Sequence, residues 1–264
     1  MKKYIVFGLI ALMLSFSLVV AIPTKDKQEF NLPENAKKIS DNVYFLGEKD
    51  VNGQKAEGYA IITYKDSNVK ENNARKPSSG SLCYTYLASG AKWKTVEPYL
   101  VDASNNAGLS TTFVKSNLVA DIDKWEVAAS ADIFGNENLS GIVNRTTIGN
   151  LNGNNDVIFA DIGSEGAIAV TLVWGYFSGP SKFRELVEWD QVYDDADFNW
   201  SSTGEVGKMD FENIAQHELG HSVGMGHPSD SCTEETMYRF ASLGETKKRT
   251  LNAGDITGVN ALYN

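Results

Sequence analysis

The chain has 264 residues, of which 42% are hydrophobic and 22% charged. These proportions belong to ordinary globular proteins and exclude a disordered, collagen-like or polytopic membrane chain. A formal net charge of −10 gives an acidic surface that disfavours nucleic acid and anionic membrane as partners.

Residues 1–21 read as an export signal. Lys2 and Lys3 precede an uncharged run from Tyr4 to Val20, and Val19 and Ala21 supply small residues at a cleavage site before Ile22. The alternative is an uncleaved anchor, because the run approaches spanning length. Small residues where a signal peptidase needs them favour cleavage, hence a secreted, extracellular protein with no stable membrane insertion. The next apolar stretch, Ala167 to Phe177, is too short to span. Cys83 and Cys232 are the only cysteines, and in an exported chain such a pair reads as one disulfide.

Residues 22–64 form a short β-rich N-terminal segment, a possible propeptide. Val43 to Leu46 and Gly58 to Tyr64 flank the turn signal Asp50-Val51-Asn52-Gly53, which predicts a hairpin. Residues 65–82, rich in Asn, Lys, Ser and Gly with Pro77, read as an exposed linker open to proteolytic nicking. The remainder, 83–264, mixes strands and helices. Val114, Leu118, Ile122 and Trp125 recur at helical spacing and predict a helix over about 112–129 that covers a sheet. Residues 157–160, 167–176 and 186–193 read as strands. A second helix is expected over 211–224, and a third carries Ile256, Val259 and Leu262.

The second helix carries the chemistry. In His217-Glu218-Leu219-Gly220-His221-Ser222-Val223-Gly224-Met225-Gly226-His227, the first two histidines lie four residues apart, on one helix face, so both imidazoles can reach one ion. Glu218 lies one step round the helix, where it can reach a water on the metal without being a ligand. Gly224 can turn the chain back, bringing His227 in as a third ligand. Three protein ligands leave a fourth position open, which is the pattern of catalytic zinc. Histidines placed for packing or solvation would be scattered, yet all three in the chain fall within these eleven residues.

The extended motif from His217 to His227 resembles that of the metzincin metallopeptidases, and its neighbours resemble the matrixin branch. Asp230 stands three residues past the last ligand, as in matrixins, while Pro228 departs from their usual serine. Thr236-Met237-Tyr238 resembles the Met-turn beneath the zinc, and Leu251-Asn252-Ala253-Gly254-Asp255-Ile256 resembles the start of the last matrixin helix. The resemblance covers about 83–264, densely from 209 onward. It implies an α+β fold with a twisted mixed sheet, long helices and an active-site helix, preceded by the small β-rich segment.

For function it implies a secreted zinc endopeptidase, probed by extended polypeptide substrates and acting as a monomer, with Glu218 as general base for zinc-activated water. It further implies one catalytic zinc on His217, His221 and His227, with Met237 below it and Tyr238 beside the pocket. The substrate is expected to add as a strand to a sheet edge, with Ala167 to Thr171 as that edge. The acidic run containing Asp194, Asp195 and Asp197 resembles a matrixin calcium segment; a solvated acidic loop fits equally. No histidine remains for the second, structural zinc of vertebrate matrixins. Cys83 lacks the flanking residues of a zinc-blocking propeptide cysteine, which favours the Cys83–Cys232 disulfide over a free thiolate. The alternative function is a secreted zinc-binding or adhesive protein with a vestigial site. It predicts decay of Glu218 or a ligand, and all four residues are intact.

Overall fold

The computed structural model describes residues 28–66 and 82–264. The leader expected over 1–21 and nearly all of the linker expected over 65–82 lie outside the described residues.

The N-terminal part contributes β1 (Glu29–Phe30), β2 (Lys37–Lys38), β3 (Val43–Val51) and β4 (Gln54–Lys65). β3 and β4 form the expected hairpin, longer than its apolar cores suggested. Its turn places Asn52 and Gly53 at φ 55° and 84°, the paired left-handed conformation that two-residue hairpins need and that Asn-Gly supplies. After it come β5 (Thr85–Tyr86), β6 (Glu97–Asp102), α1 (Thr111–Ala129), β7 (Phe134–Glu137), β8 (Asn155–Ile162), β9 (Ala167–Tyr176) and β10 (Glu185–Asp194). The chain closes with β11 (Trp200–Ser201), β12 (Met209–Asp210), α2 (Phe211–Ser222), β13 (Met225–Gly226), β14 (Phe240–Ala241) and α3 (Ala253–Tyr263).

Among the described residues ten strands build one mixed sheet. Its main order is β2-β3-β4-β9-β10-β8-β6-β7, with β1 added to β8 and β14 to β4. β6, β7, β8 and β10 run parallel, and β9 runs antiparallel to β10. The fold is the expected α+β arrangement with a mixed sheet.

The expectation that Ala167–Thr171 forms a sheet edge is corrected here. β9 is an interior strand, paired with β10 on one side and antiparallel to β4 on the other, from Glu57↔Gly175 to Tyr64↔Ala167. Near-continuous apolar burial along β9, Ala167 to Gly175, agrees with a strand covered on both faces.

One face of the sheet packs on the helices. α1 begins at Ser110, whose side chain accepts from the Phe113 amide, and ends where Ser130 turns left-handed at φ 54°. The predicted stripe of Val114, Leu118, Ile122 and Trp125 is buried in a cluster with Phe159, Val173, Phe211, Leu219 and Met237. The opposite face holds a second apolar cluster, in which Ala60 and Ile62 of β4 meet Val170 and Leu172 of β9. Cys83 and Cys232 are joined, with Cα atoms 5.6 Å apart. Closing a loop of 149 residues contributes about 4–5 kcal/mol in the chain-entropy account.

Candidate metal centre and active site

α2 is buried almost all round, including Phe211 and every residue from Asn213 to Ser222, which fixes the helix rigidly in the core. Asp210 caps it, accepting from the Asn213 amide and pairing with Arg249. Gly220 lets the helix approach the loop below, since a Cβ there would overlap the Met237 sulfur and stand 2.7 Å from the Trp125 indole. The helix ends at Ser222, two residues short of the expected end, because Gly224 adopts φ 103° and redirects the chain. A Cβ at Gly224 would lie 2.9 Å from the Ala91 carbonyl oxygen, so glycine is required there both for its dihedral and for space. The reversal returns His227 toward the helix.

The three imidazoles converge. His227 Nε2 lies 3.2 Å from His217 Nε2 and 3.0 Å from His221 Nε2. Two nitrogens each about 2.0–2.1 Å from one tetrahedral ion would have this separation to within a few tenths of an ångström. Among the described residues these three histidines form the one group able to hold a metal ion.

Second partners orient them. His217 Nδ1 lies 2.6 Å from the Thr236 carbonyl oxygen and His221 Nδ1 2.9 Å from that of Met225. A carbonyl only accepts, so both Nδ1 atoms carry the proton and both Nε2 lone pairs are free for a metal. Burial lowers the pKa of all three rings, that of His221 to about 4, so they are neutral, as ligands must be. His227 Nδ1 meets the Asn42 carboxamide at 2.7 Å, a contact from the N-terminal segment that the sequence did not suggest.

Glu218 is fully buried beside the triad. Its Oε2 accepts from Thr171 Oγ1 at 2.6 Å, while Oε1 finds no partner in the protein. Burial raises its pKa to about 7, and the Thr171 and Thr63 hydroxyls and the Lys248 charge pull the other way. Thr63 faces this carboxylate from β4, close enough for its hydroxyl to help hold the pKa down. The donor set therefore fits a zinc ion: three neutral imidazoles around one point, and next to them a carboxylate with one oxygen uncommitted.

Met237 is wholly buried against Gly220. Asp255 of α3 holds its turn in place, accepting from the Thr236 and Met237 amides at 2.7 and 3.1 Å. The buried Lys248 ammonium donates to the carbonyl oxygens of Thr236 and Tyr238. Tyr238 packs on Phe240 and Lys247 and does not line the cleft of about 540 Å³ beside the triad. Asn42, Tyr59, Val173, Phe177, His221 and His227 contribute to that cleft.

Asp194, Asp195 and Asp197 do not come together as a ligand group. Asp194 is buried and accepts the amides of Ile162, Ala196 and Asp197, whereas Asp195 accepts the Asn106 amide. Thr171 was missed although it is a polar residue inside an apolar strand, a visible signal. Asn42 carried no local signal, and Lys248 lies in a Lys-Lys-Arg run that reads as solvated.

A histidine pair on a buried helix, a third histidine after a glycine reversal and a methionine turn beneath them, against a mixed sheet, are the arrangement that the metzincin resemblance implies. The matrixin family model matches residues 177–264, and over that part the chain is similar to matrixins. Human Matrilysin is 39% identical over 69 residues, covering 26% of this chain and 25% of its own length. Metalloendoproteinase 2-MMP of Arabidopsis thaliana is 36% identical, covering 26% and 19%. Metalloendoproteinase 1 of Glycine max is 39% identical, covering 26% and 24%. The chain thus spans about a quarter or less of the length of these relatives.

Proposed function

We propose that this protein is a zinc-dependent endopeptidase that cleaves extended polypeptides outside the cell, after export by its first 21 residues. The observation that carries the reading is Glu218, whose one uncommitted oxygen lies beside three histidines oriented to present free Nε2 lone pairs. His217, His221 and His227 would hold the ion, which in such a site supplies Lewis-acid polarisation of a carbonyl and acidifies water. Glu218 Oε1 takes the proton of the attacking water, and Thr171 keeps the other carboxylate oxygen still meanwhile. The protonated Glu218 then delivers that proton to the leaving amine. Names of the relatives that include metalloendoproteinases support peptide bonds as the target. Among the described residues no helix is long and apolar enough to cross a membrane.

Digestion of unfolded casein, with zinc quantified, tests the proposal. Wild-type protein should bind about one zinc per chain and cleave, chelator should stop it, and Glu218→Ala should keep zinc and lose cleavage. A Glu218→Ala protein as active as wild type would remove Glu218 from the mechanism. Zinc binding with no cleavage, before or after cutting between residues 66 and 82, would reduce the protein to a zinc-binding one.

A further inference from the structure

We infer that Lys248 is a positioning residue for the metal centre: it shares the Thr236 carbonyl oxygen with His217 and limits how strongly that oxygen pulls on the Nδ1 proton. This rests on the zinc site of the reading above and adds a residue to it. Nothing in the histidine motif calls for a lysine, and the run Lys247-Lys248-Arg249 has the composition of a solvated segment. Lys248 is instead wholly buried, whereas Lys247 beside it is only partly so. Its backbone is fixed from both sides of the site. The amide donates to Asn213 Oδ1 of α2 at 2.8 Å, and the carbonyl oxygen accepts from Thr236 Oγ1 at 3.3 Å.

The side chain reaches the Met-turn. Its Nζ donates to the Thr236 carbonyl oxygen at 3.2 Å and also to that of Tyr238, so it ties together the carbonyls on either side of Met237. The Tyr238 ring lies against the same nitrogen, 5.2 Å from it to the centroid. A methionine or leucine would fill such a buried channel without taking an amine out of water, so packing alone does not account for a lysine. Burial pushes its pKa down to about 7, while Glu245, Asp255 and Glu218 favour the charge and Lys247 opposes it. Ammonium and amine both carry N–H donors, so the two carbonyl contacts hold on either side of that value.

The consequence falls on His217. Its Nδ1 lies 2.6 Å from the same Thr236 oxygen. An acceptor that serves two donors serves each less well, and a ligating histidine is a weaker electron donor when the acceptor on its outer N–H is weak. The lysine charge, where present, also opposes a cation held between the three Nε2 atoms. Both effects act in one direction. They lower the affinity for zinc and leave the ion a stronger Lewis acid, which is the property that a hydrolytic site needs from it.

The test compares the full chain with its Lys248→Met variant. Zinc affinity, measured by competition with a chelator, should rise about tenfold in the variant, the scale of effects from partners of ligating histidines. In the zinc-loaded proteins the His217 Nδ1 proton should move downfield in nuclear magnetic resonance while that of His221 stays. Casein hydrolysis should show kcat lowered severalfold with KM near wild type. A lysine that only props the turn would give the opposite first reading, looser zinc, and that result would overturn the inference. Unchanged affinity with an unmoved His217 proton would overturn it as well. Tighter zinc and a shifted proton, with casein untouched by either protein, would keep the inference and reject the peptidase reading. Should circular dichroism show Lys248→Met unfolded, the wild type decides alone. Its Lys248 Nζ protons should show a nuclear Overhauser contact to the His217 Nδ1 proton, and absence of that contact would count against the shared oxygen.

Discussion

The two sides of the metal-binding residues are built to different standards. Below them, the floor made by α2, the Met-turn and α3 is closed: Gly220 admits Met237, Asp255 accepts both amides of the turn, and the Thr236 carbonyl oxygen takes His217 Nδ1. Above them, where β4 lies along β9, Glu218 Oε1 is buried with no partner, the Thr63 hydroxyl faces that carboxylate, and an asparagine abuts a candidate ligand. Buried polar groups in native proteins are nearly always satisfied, and exceptions concentrate where function needs an open valence. The floor therefore has the character of permanent structure. The strand above it has the character of a seat for the reacting groups.

If the floor is permanent, damage to it should cost the most. Asp255→Ala strips two buried amides of their acceptor and also removes the Asn252–Asp255 capping box that starts α3. The expected loss is about 2–5 kcal/mol, since each orphaned donor costs about 1–3 kcal/mol, read as a lower urea midpoint with weaker zinc retention. Unchanged stability would mean the turn is held by something else. Gly220→Ala comes next. The added methyl meets the Met237 sulfur and the Trp125 indole, and overpacking of a tight core costs about 1–3 kcal/mol. Thermal unfolding with and without zinc would show the loss in both.

How much of this contrast can be read in the sequence depends on the range of the interactions. The floor is legible because its signals are local. A four-residue step on one helix places His217 and His221 together, Gly224 announces the reversal, and Met237 follows at a fixed distance. α1 was equally plain from the spacing of Val114, Leu118, Ile122 and Trp125. The seat is not legible. Residues 58–64 announce a strand and its hairpin partner, but pairing with β9, over a hundred residues away, leaves no periodicity to read. Ala167–Tyr176 therefore reads correctly as a strand, and Ala167–Thr171 wrongly as its open edge. β6 and β7 escaped for another reason: Pro98 and the charges at their ends interrupt any alternation. The acidic run at Asp194 resembles a matrixin calcium segment, yet the buried carboxylate there serves backbone amides.

Thr171 sits on the boundary between the two regions, in the seat but bonded to the base. Thr171→Val keeps the strand's shape and removes the donor to Glu218 Oε2. Losing a hydrogen bond to a charged group of about 1.5–3 kcal/mol should lower kcat at least about tenfold, with KM and zinc content near wild type and Thr171→Ser restoring most of the rate. A drop confined to KM would place Thr171 in substrate binding instead and move the boundary of the permanent floor.

The smallest effect is also the one that separates the two regions by sign. Thr63→Val replaces the β4 hydroxyl that faces Glu218 with a methyl of nearly the same shape. Where a buried polar atom is unsatisfied, such a change removes a desolvation penalty and leaves packing intact. The intact chain should gain about 1 kcal/mol, measured as a higher urea midpoint with unchanged m value. Every substitution proposed for the floor lowers stability, so a gain at Thr63 would mark the seat as the place where the fold is not optimised for itself. A loss of stability would show that the hydroxyl has a partner in solution, and the contrast between floor and seat would then rest on Asn42 and Glu218 alone.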